Sequence, residues 1–388
     1  MRVRPAEVPW LIRVMAAVGL TALIGCDGFF PPVNPTPPPG TTGNYAYVAN
    51  TTGTTASGTN SATGTVTGFT IGTGTLTAVP GSPLTLGYQP VAMAVTRDNK
   101  FLYVAAQGNI NVYTINSDGS LSTPSTGTGV AIVNVVSMEV SPDGQWLVAL
   151  DGNTLQAQVD VFQINATTGA LATTSNGALP IPNAVINPRM LTISPNGAYI
   201  FAALGTGGDA VFTFNTATGL AIGVQNLTVS SQTSDNGLAV DKNSAYLYIA
   251  RSGTGGGVRV FAIGSGGTLN EIAGSPFASG GQSYSVVLDN SGKYVYAANR
   301  TNGTIYGYAI GTGGALTALT GSPYASGLLV TSLGTDSSGD YLLAAANGGN
   351  PDLSMYSFDT TTPGRLDLAT STATGTDPTG AIAVALTH

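Results

Sequence analysis

The sequence contains little of what most catalytic and nucleic-acid-binding sites are built from. Its 388 residues include one histidine, one cysteine and only 8% charged residues, against about 25% charged residues in an average globular protein. One cysteine excludes an intrachain disulfide. A Ser-His-Asp triad or a histidine zinc site would have to use His388, the last residue. The net charge of −7, with basic residues scattered singly, provides no basic stripe, and we expect no nucleic-acid partner.

The chain has instead a short apolar motif repeated seven times. In each copy an aromatic or aliphatic run, such as KFLYVAA (100–106) or AYLYIAR (245–251), precedes an alternating run such as VRVFAI (258–263). The central residues of the first runs lie 45 to 56 residues apart: Tyr47, Tyr103, Val148, Phe201, Tyr248, Tyr296 and Leu343. This spacing is near the period of four-stranded propeller blades. The sequence therefore predicts an all-β fold, a seven-bladed β-propeller of four-stranded antiparallel blades over residues 44–388.

The repeat is out of phase with the end of the chain. The folded part begins at Tyr45 with a second strand, whereas the final apolar run, AIAVAL (381–386), stands where every other blade begins its innermost strand. We expect this C-terminal run to join the first blade and close the ring. Truncation after about Thr379 should then be far more damaging than its length suggests.

Residues 1–25 have the layout of a signal peptide. Arginines at positions 2, 4 and 13 precede an apolar stretch (14–24) that is too short for a permanent membrane span. The stretch ends in Leu-Ile-Gly-Cys, which resembles a bacterial lipobox. The resemblance implies cleavage before Cys26 and attachment of lipid to its sulfur; the alternative is an ordinary secretory signal with an incidental cysteine.

The segment between this cysteine and the repeats is rich in proline. Residues 26–43 are therefore expected to form an extended, semi-rigid spacer. Together these features predict a bacterial cell-envelope protein, periplasmic or surface-facing, that is held at the membrane by its lipid anchor. We expect it to be a monomer.

Polar side chains at the blade ends predict a ligand site at one mouth of the channel. Arg189 directly precedes an innermost strand, while Arg251 and Arg300 end their second strands, and Asn299 is adjacent to Arg300. In up-and-down blades these connections meet at the same end. Guanidinium groups on one rim suit a carboxylate or phosphate, so we expect a small anionic or sugar-acid ligand, without a cofactor or a metal.

Two alternatives remain open for these residues. Each arginine would instead cap a loop or pair with a nearby carboxylate such as Asp209 or Asp235. Glu139, in the innermost strand of the third blade, is either a general base that points into the channel or the wetted side of an alternating strand. Residues 336–340 (DSSGD) and 151–153 (DGN) contain fragments of calcium loops, but no downstream glutamate completes them, which favours turns.

The motifs taken together resemble one known family. The second-strand runs, the turns SPDG (141–144) and SPNG (194–197), the recurrent Gly-Ser-Pro and the pair Pro188-Arg189 are similar to bacterial lactonase-type seven-bladed propellers. These include 6-phosphogluconolactonase-like, carboxymuconate-cyclase-like and related YVTN propellers. The resemblance covers residues 44–388 and implies a catalytic set of Arg, His and Glu on the channel face.

Only the arginine of that set is present here. Arg189 matches the family's Pro-Arg-His element, but Met190 follows it in place of histidine. The expected glutamate falls near Leu204 or Gly205, and a further expected histidine falls near Val136 or Ser137. His388 is at the terminus, where fraying is expected. Lactone opening needs a base as well as a cation.

We therefore predict a lactonase scaffold that has lost catalysis and serves as a binding or scaffolding module. One alternative is a working lactone hydrolase that uses Arg189 with Glu139 or an aspartate. Another is a surface adhesion propeller without a small ligand.

Overall fold

The computed structural model describes residues 43–51, 64–123, 129–152, 156–181, 187–374 and 381–388. This part of the chain contains thirty strands and two short 3-10 turns, Ser265–Gly267 and Thr312–Gly314. The strand pairs within the blades are antiparallel. The strands form seven blades around a channel, as the repeat predicts.

The blades follow one another along the chain, and within each blade the first-named strand is the innermost, beside the channel. Blade 1 comprises Ala381–Leu386, Tyr45–Asn50, Thr65–Gly72 and Thr75–Ala78 with Leu84–Thr85. Blade 2 comprises Pro90–Val95, Phe101–Ile115 as its second and third strands, and Leu121–Ser122 with the start of Val130–Val140. Blade 3 comprises the rest of Val130–Val140, Trp146–Gly152, Ala157–Ile164 and Leu171–Pro180.

The remaining four blades have the same order. Blade 4 comprises Met190–Ile193, Tyr199–Ala203, Asp209–Asn215 and Leu220–Leu227. Blade 5 comprises Thr233–Val240, Tyr246–Gly253, Gly257–Ile263 and Leu269–Glu271 with Phe277–Ala278. Blade 6 comprises Ser283–Leu288, Tyr294–Asn299, Thr304–Ile310 and Leu316–Ala318 with Tyr324–Ala325. Blade 7 comprises Leu328–Thr335, Tyr341–Gly348, Leu353–Phe358 and Leu366–Thr372.

The C-terminal strand closes the ring, which confirms the prediction from the repeat phase. Ala381–Leu386 pairs antiparallel with Tyr45–Asn50, with Val48 opposite Val384. The innermost strand of blade 1 therefore comes from the C-terminal end of the sequence, and its other strands come from the beginning of the folded part.

The outermost strands of blades 1, 5 and 6 are split, a detail that the sequence did not indicate. Each Gly-Ser-Pro lies between two short strand segments rather than at the end of the strand. The serine hydroxyl accepts a hydrogen bond from a backbone N–H of the third strand, and so replaces a ladder bond where the outer strand is interrupted. The pairs are Gly68 N–H to Ser82, Val260 N–H to Ser275 and Gly307 N–H to Ser322.

Neighbouring blades contact each other through an aromatic ring and a glycine. The ring begins a second strand, and the glycine lies in the hairpin between the third and fourth strands of the next blade, with positive φ. A Cβ atom on these glycines would lie only 2.5 to 2.8 Å from the ring. The pairs are Tyr45–Gly119, Phe101–Gly169, Trp146–Gly219, Tyr199–Gly267, Tyr246–Gly314 and Tyr294–Gly364. From blade 7 to blade 1 the contact is a hydrogen bond from Gly74 N–H to Tyr341 Oη. This repeated contact fixes the rotation between blades and keeps the innermost strands around the channel.

Candidate functional site

A cavity of about 630 Å³ occupies one end of the channel, and all seven blades contribute to its wall. Both Arg189 and Arg300 line it, so we call this the arginine end. A cavity of this size is within the usual range for a small-molecule site. Glu139 lies deeper and lines both this cavity and the smaller cavities at the opposite end.

One residue of each innermost strand forms a collar around the cavity. In six blades a β-bulge displaces this residue from the ladder, as at Tyr284 between Ser283 and Ser285, and bulges are a common means of redirecting a side chain near a binding site. In blade 4 the equivalent position is Arg189, just before the strand, whose N–H donates to Ala203 O. The collar consists of Val91, Val136, Arg189, Asn236, Tyr284, Thr331 and Ile382.

Arg189 and Arg300 are the cations of this end. Arg189 is exposed, and the Arg300 guanidinium lies over the Tyr284 ring, 4.4 Å from its centroid. Among the described residues, neither arginine forms an ion pair. Their charges are therefore available to an anion in the cavity. Tyr284 was not predicted from the sequence, although aligning the repeats on their apolar runs would have placed it, directly before SVVL (285–288), at the position of Arg189, directly before MLTI (190–193).

The structure does not bring Arg251 and Asn299 into this cavity. Arg251 forms a bidentate ion pair with Asp235 (Nε–Oδ1 2.6 Å, Nη2–Oδ2 2.7 Å). Asn299 is buried, and its amide donates to Ser279 O while its carbonyl oxygen accepts the N–H groups of the following loop. The alternative of pairing with Asp235 is thus the one realised for Arg251, because that carboxylate lies directly across the ladder from it.

Arg251 belongs to a largely buried charged cluster between blades 4 and 5. Arg259 Nη1 lies 3.1 Å from Asp235 and 3.6 Å from Asp209, and its Nη2 lies 2.8 Å from Glu271. Burial and the neighbouring Asp235 raise the pKa of Asp209 well above its ordinary value. Two arginines thus face three carboxylates, of which Asp209 is the one with the raised pKa, and we regard the cluster as a structural joint.

Glu139 is held by the neighbouring blade. Its Oε2 accepts the Ile193 N–H at 3.0 Å, and its Oε1 lies 3.4 Å from Arg97 Nη2. Ser137, two residues earlier, accepts the Leu191 N–H in the same way. An innermost strand has an open edge whose N–H groups need acceptors, and these two side chains supply them for blade 4. Burial raises the pKa of Glu139, although Arg97 and the Ile193 N–H oppose the shift.

Comparison with known proteins agrees with this architecture. The family model Lactonase, 7-bladed beta-propeller, matches residues 190–383. The chain belongs to this lactonase propeller family. No protein of curated function matches the sequence.

Several solved structures have the same fold at low sequence identity. A putative 6-phosphogluconolactonase from Bacteroides uniformis is 18% identical, with 88% of this chain and 99% of that chain covered and a TM-score of 0.67. The periplasmic gluconolactonase PpgL of Pseudomonas aeruginosa is 16% identical, with 88% and 99% covered and a TM-score of 0.63. A protein from Lactobacillus plantarum is 17% identical, with 88% and 100% covered and a TM-score of 0.67.

Positions where the lactonase family resemblance implies catalytic residues have other roles in this chain. Met190, in place of histidine, accepts the Leu238 N–H on its sulfur at 3.3 Å. Leu204, near the implied glutamate, is buried, with its N–H bonded to Gly208 O. Both residues therefore serve the packing of the ring.

Some predictions lie outside what the structure describes. Cys26, the segment 1–25 and the linker up to residue 42 are not among the described residues. Within the residues that are described, no helix has the length and apolar character needed to cross a membrane, and no group of potential ligands is arranged to hold a metal ion.

His388 lies at the opposite end of the channel, and the expectation that it frays is wrong. Its backbone exchanges two hydrogen bonds with the Asn99 side chain, at 2.8 and 2.9 Å. Its ring Nδ1 lies 3.3 Å from Arg97 Nη1, and Nε2 lies 3.4 Å from Val95 O. The chain terminus is thus fastened to the turn of blade 2, and the lone imidazole is far along the channel from Arg189.

The pKa of His388 provides a test of this attachment. Burial of the ring and the nearby Arg97 charge lower its pKa to about 4. Because this is the only histidine of the chain, an untagged protein should give one imidazole signal in an NMR titration, with a midpoint near pH 4. The unfolded chain takes up this proton near pH 6.5, so the contribution of the group to stability is lost as pH falls from about 6.5 to 4. A midpoint near 6.5 in the folded protein would show a free terminus; the Asn99→Gly variant, which keeps the left-handed turn but loses the amide, should move the midpoint upward.

Proposed function

We propose that the arginine end of the channel binds a small organic anion, a carboxylate or a phosphate, and that the protein acts as a binding module rather than as a lactone hydrolase. The observation that carries this proposal is the presence of two arginines without ion-pair partners among the described residues, in a cavity of about 630 Å³. Sugar-acid lactones and their acids are natural first ligands to test, because two structural neighbours are named as gluconolactonases.

The engagement of Glu139 by other groups supports binding without turnover. General-base catalysis requires a group that can take a proton from water within hydrogen-bond reach. Within the described chain, Glu139 is the acid that lines this cavity, and both of its oxygens have partners in Arg97 and Ile193. Lactone hydrolysis remains the second candidate, because Glu139 lines the cavity and has a raised pKa.

Calorimetric titration with gluconate and 6-phosphogluconate tests the proposal. Charge-assisted hydrogen bonds contribute about 1.5–3 kcal/mol, so we expect Arg189→Ala and Arg300→Ala each to weaken binding by roughly 10- to 150-fold. Arg365→Ala is the matched control, because Arg365 pairs with Asp359 and Asp367 outside the cavity. The proposal would be wrong if the unaltered protein did not bind these ligands, or if both cavity variants bound them with the same affinity as the unaltered protein.

A pH-stat assay with glucono-δ-lactone separates the two candidates. For a binding module we expect the rate to equal that of buffer alone. Turnover that is lost in Glu139→Gln and in Arg189→Ala would instead establish the hydrolase.

We propose further that the protein is a lipid-anchored protein of the bacterial cell envelope. The Leu-Ile-Gly-Cys sequence ending at Cys26 supports this proposal, as does the proline-rich segment after it. Membrane fractionation after expression in a bacterium, compared with Cys26→Ser, tests it. Release of the variant, but not of the unaltered protein, into the soluble fraction is the expected result.

A further inference from the structure

The collar at the arginine end is divided into an apolar arc and a polar arc. Three consecutive blades, numbers 1 to 3, contribute Ile382, Val91 and Val136. The next four blades contribute polar residues: Arg189, Asn236, Tyr284 and Thr331. Because successive blades are neighbours around the ring, the two sets occupy opposite sides of the same opening.

Fewer of the polar collar residues are available to a ligand than their number suggests. Asn236 Nδ2 donates to Ser283 O of the next blade at 3.0 Å, and Thr331 Oγ1 donates to Ala381 O at 3.0 Å. These two side chains hold adjacent blades together. Within the collar, the polar side chains left to meet a ligand are Arg189 and Tyr284, which stacks with Arg300. Polar residues outside the collar also line the cavity: Thr51, Gln89, Ser332 and Asn347.

The opposite side of the collar, in blades 1 to 3, is formed by apolar side chains. Val91 is 37% exposed, although it is a large apolar residue, and deeper residues of the same blades, Met93, Met138 and Val384, continue the apolar wall. Ser137 and Glu139 of blade 3 also line the cavity, and their oxygens accept N–H groups of blade 4. A hydroxyl placed against the side chains of Val91, Val136 and Ile382 would lose its water without gaining a partner.

We propose that the ligand of this site is an amphipathic carboxylate, with its anionic group at Arg189 and Arg300 and its hydrocarbon part against Val91, Val136 and Ile382. This inference rests on the proposed function and narrows its ligand class. A fully hydroxylated sugar acid fits the polar arc only.

Hexanoate and gluconate form a suitable pair of probes, because both are six-carbon monocarboxylates that differ in their hydroxyl groups. Titration of the unaltered protein, followed by calorimetry or NMR, should show hexanoate binding at least about tenfold tighter, given that a single methylene in an apolar pocket changes affinity by roughly tenfold or more. Hexanol, which lacks the charge, should bind more weakly than hexanoate.

Val136→Thr tests the apolar arc at nearly constant volume. We expect it to weaken hexanoate binding by about three- to tenfold and to leave gluconate binding unchanged or stronger. Val224→Thr is the matched control, because Val224 is exposed on the outermost strand of blade 4. If Val136→Thr melts at a markedly lower temperature, Val91→Thr at the more exposed position replaces it.

The outcomes separate this inference from the proposed function. If gluconate binds as tightly as hexanoate, or if Val136→Thr affects both probes alike, the amphipathic ligand class is wrong while anion binding stands. If neither carboxylate binds, both proposals are wrong. Preference for hexanoate that falls in Val136→Thr, together with loss of both ligands in Arg189→Ala, supports both.

Discussion

Deletion of the last eight residues, 381–388, is expected to abolish the folded state. These residues form the innermost strand of blade 1 and pair with Tyr45–Asn50, every residue of which is buried. Without them Tyr47 and Val48, both fully buried, lose one side of their surroundings, and the ring opens between blades 1 and 7. The loss exceeds the roughly 5–15 kcal/mol of net stability of a typical domain.

Thermal unfolding followed by circular dichroism measures this effect. The chain ending at residue 380 should show no cooperative transition and should be largely insoluble. Deletion of His388 alone is the control, because it removes the contacts to Asn99 and Arg97 and keeps the strand. We expect a modest decrease in melting temperature for this control. A cooperative transition at an unchanged temperature in the shorter chain would contradict the closure of the ring by its C-terminal strand.

Asp235→Asn is expected to destabilise the protein by about 3–5 kcal/mol. Asp235 is completely buried and accepts charged hydrogen bonds from both Arg251 and Arg259. Asparagine has nearly the same volume but leaves Arg251 without its counter-charge and Arg259 with Glu271 as its remaining close partner, and removing one partner of a buried ion pair has a cost of this size. The free energy of unfolding in urea at pH 7, compared with the unaltered protein, measures the change.

Asp209→Asn, in the same cluster, is the matched control and should behave in the opposite way. The raised pKa of Asp209 means that the folded state keeps a proton that the unfolded chain releases above its ordinary pKa of about 3.9. The contribution of this group to stability therefore decreases as pH rises from about 4 through the raised pKa. Asp209→Asn should remove this decrease and should be neutral or stabilising at pH 8. A loss equal to that of Asp235→Asn would show that both carboxylates are ionised and needed.

The fold could be predicted from the sequence because the strands of the repeats appear as recognisable runs in the same order. Alternating runs such as 258–263, the aromatic second strands and the unmatched last run 381–386 predicted the blades, their number and the closure of the ring. The splitting of the outermost strands could not be predicted from the sequence. Their cause is a side-chain hydrogen bond, such as Ser82 to the Gly68 N–H, and a sequence pattern does not show whether a strand resumes after a turn.

The site was predictable only in part, because residues one position apart at the end of a second strand lie in different places. Arg189 and Arg300 line the cavity, whereas Arg251, which has the ladder position of Asn299 rather than that of Arg300, pairs with Asp235. Arg251 lies opposite Asp235 as Asn299 lies opposite Ser283, while Arg300 follows its strand and stacks on Tyr284. Such pairings depend on three-dimensional neighbours that are distant in sequence.

The strand through which the folded ring begins is also well placed to resist mechanical force. Tyr45–Asn50 is hydrogen-bonded along both edges, to Thr65–Gly72 on one side and to Ala381–Leu386 on the other. A pull applied at Gly43 along this strand would load both ladders in shear, so that many hydrogen bonds would have to break at once. If the protein is anchored at Cys26 as proposed, tension would enter through this doubly paired strand, whereas tension on an outermost strand would break its hydrogen bonds one at a time.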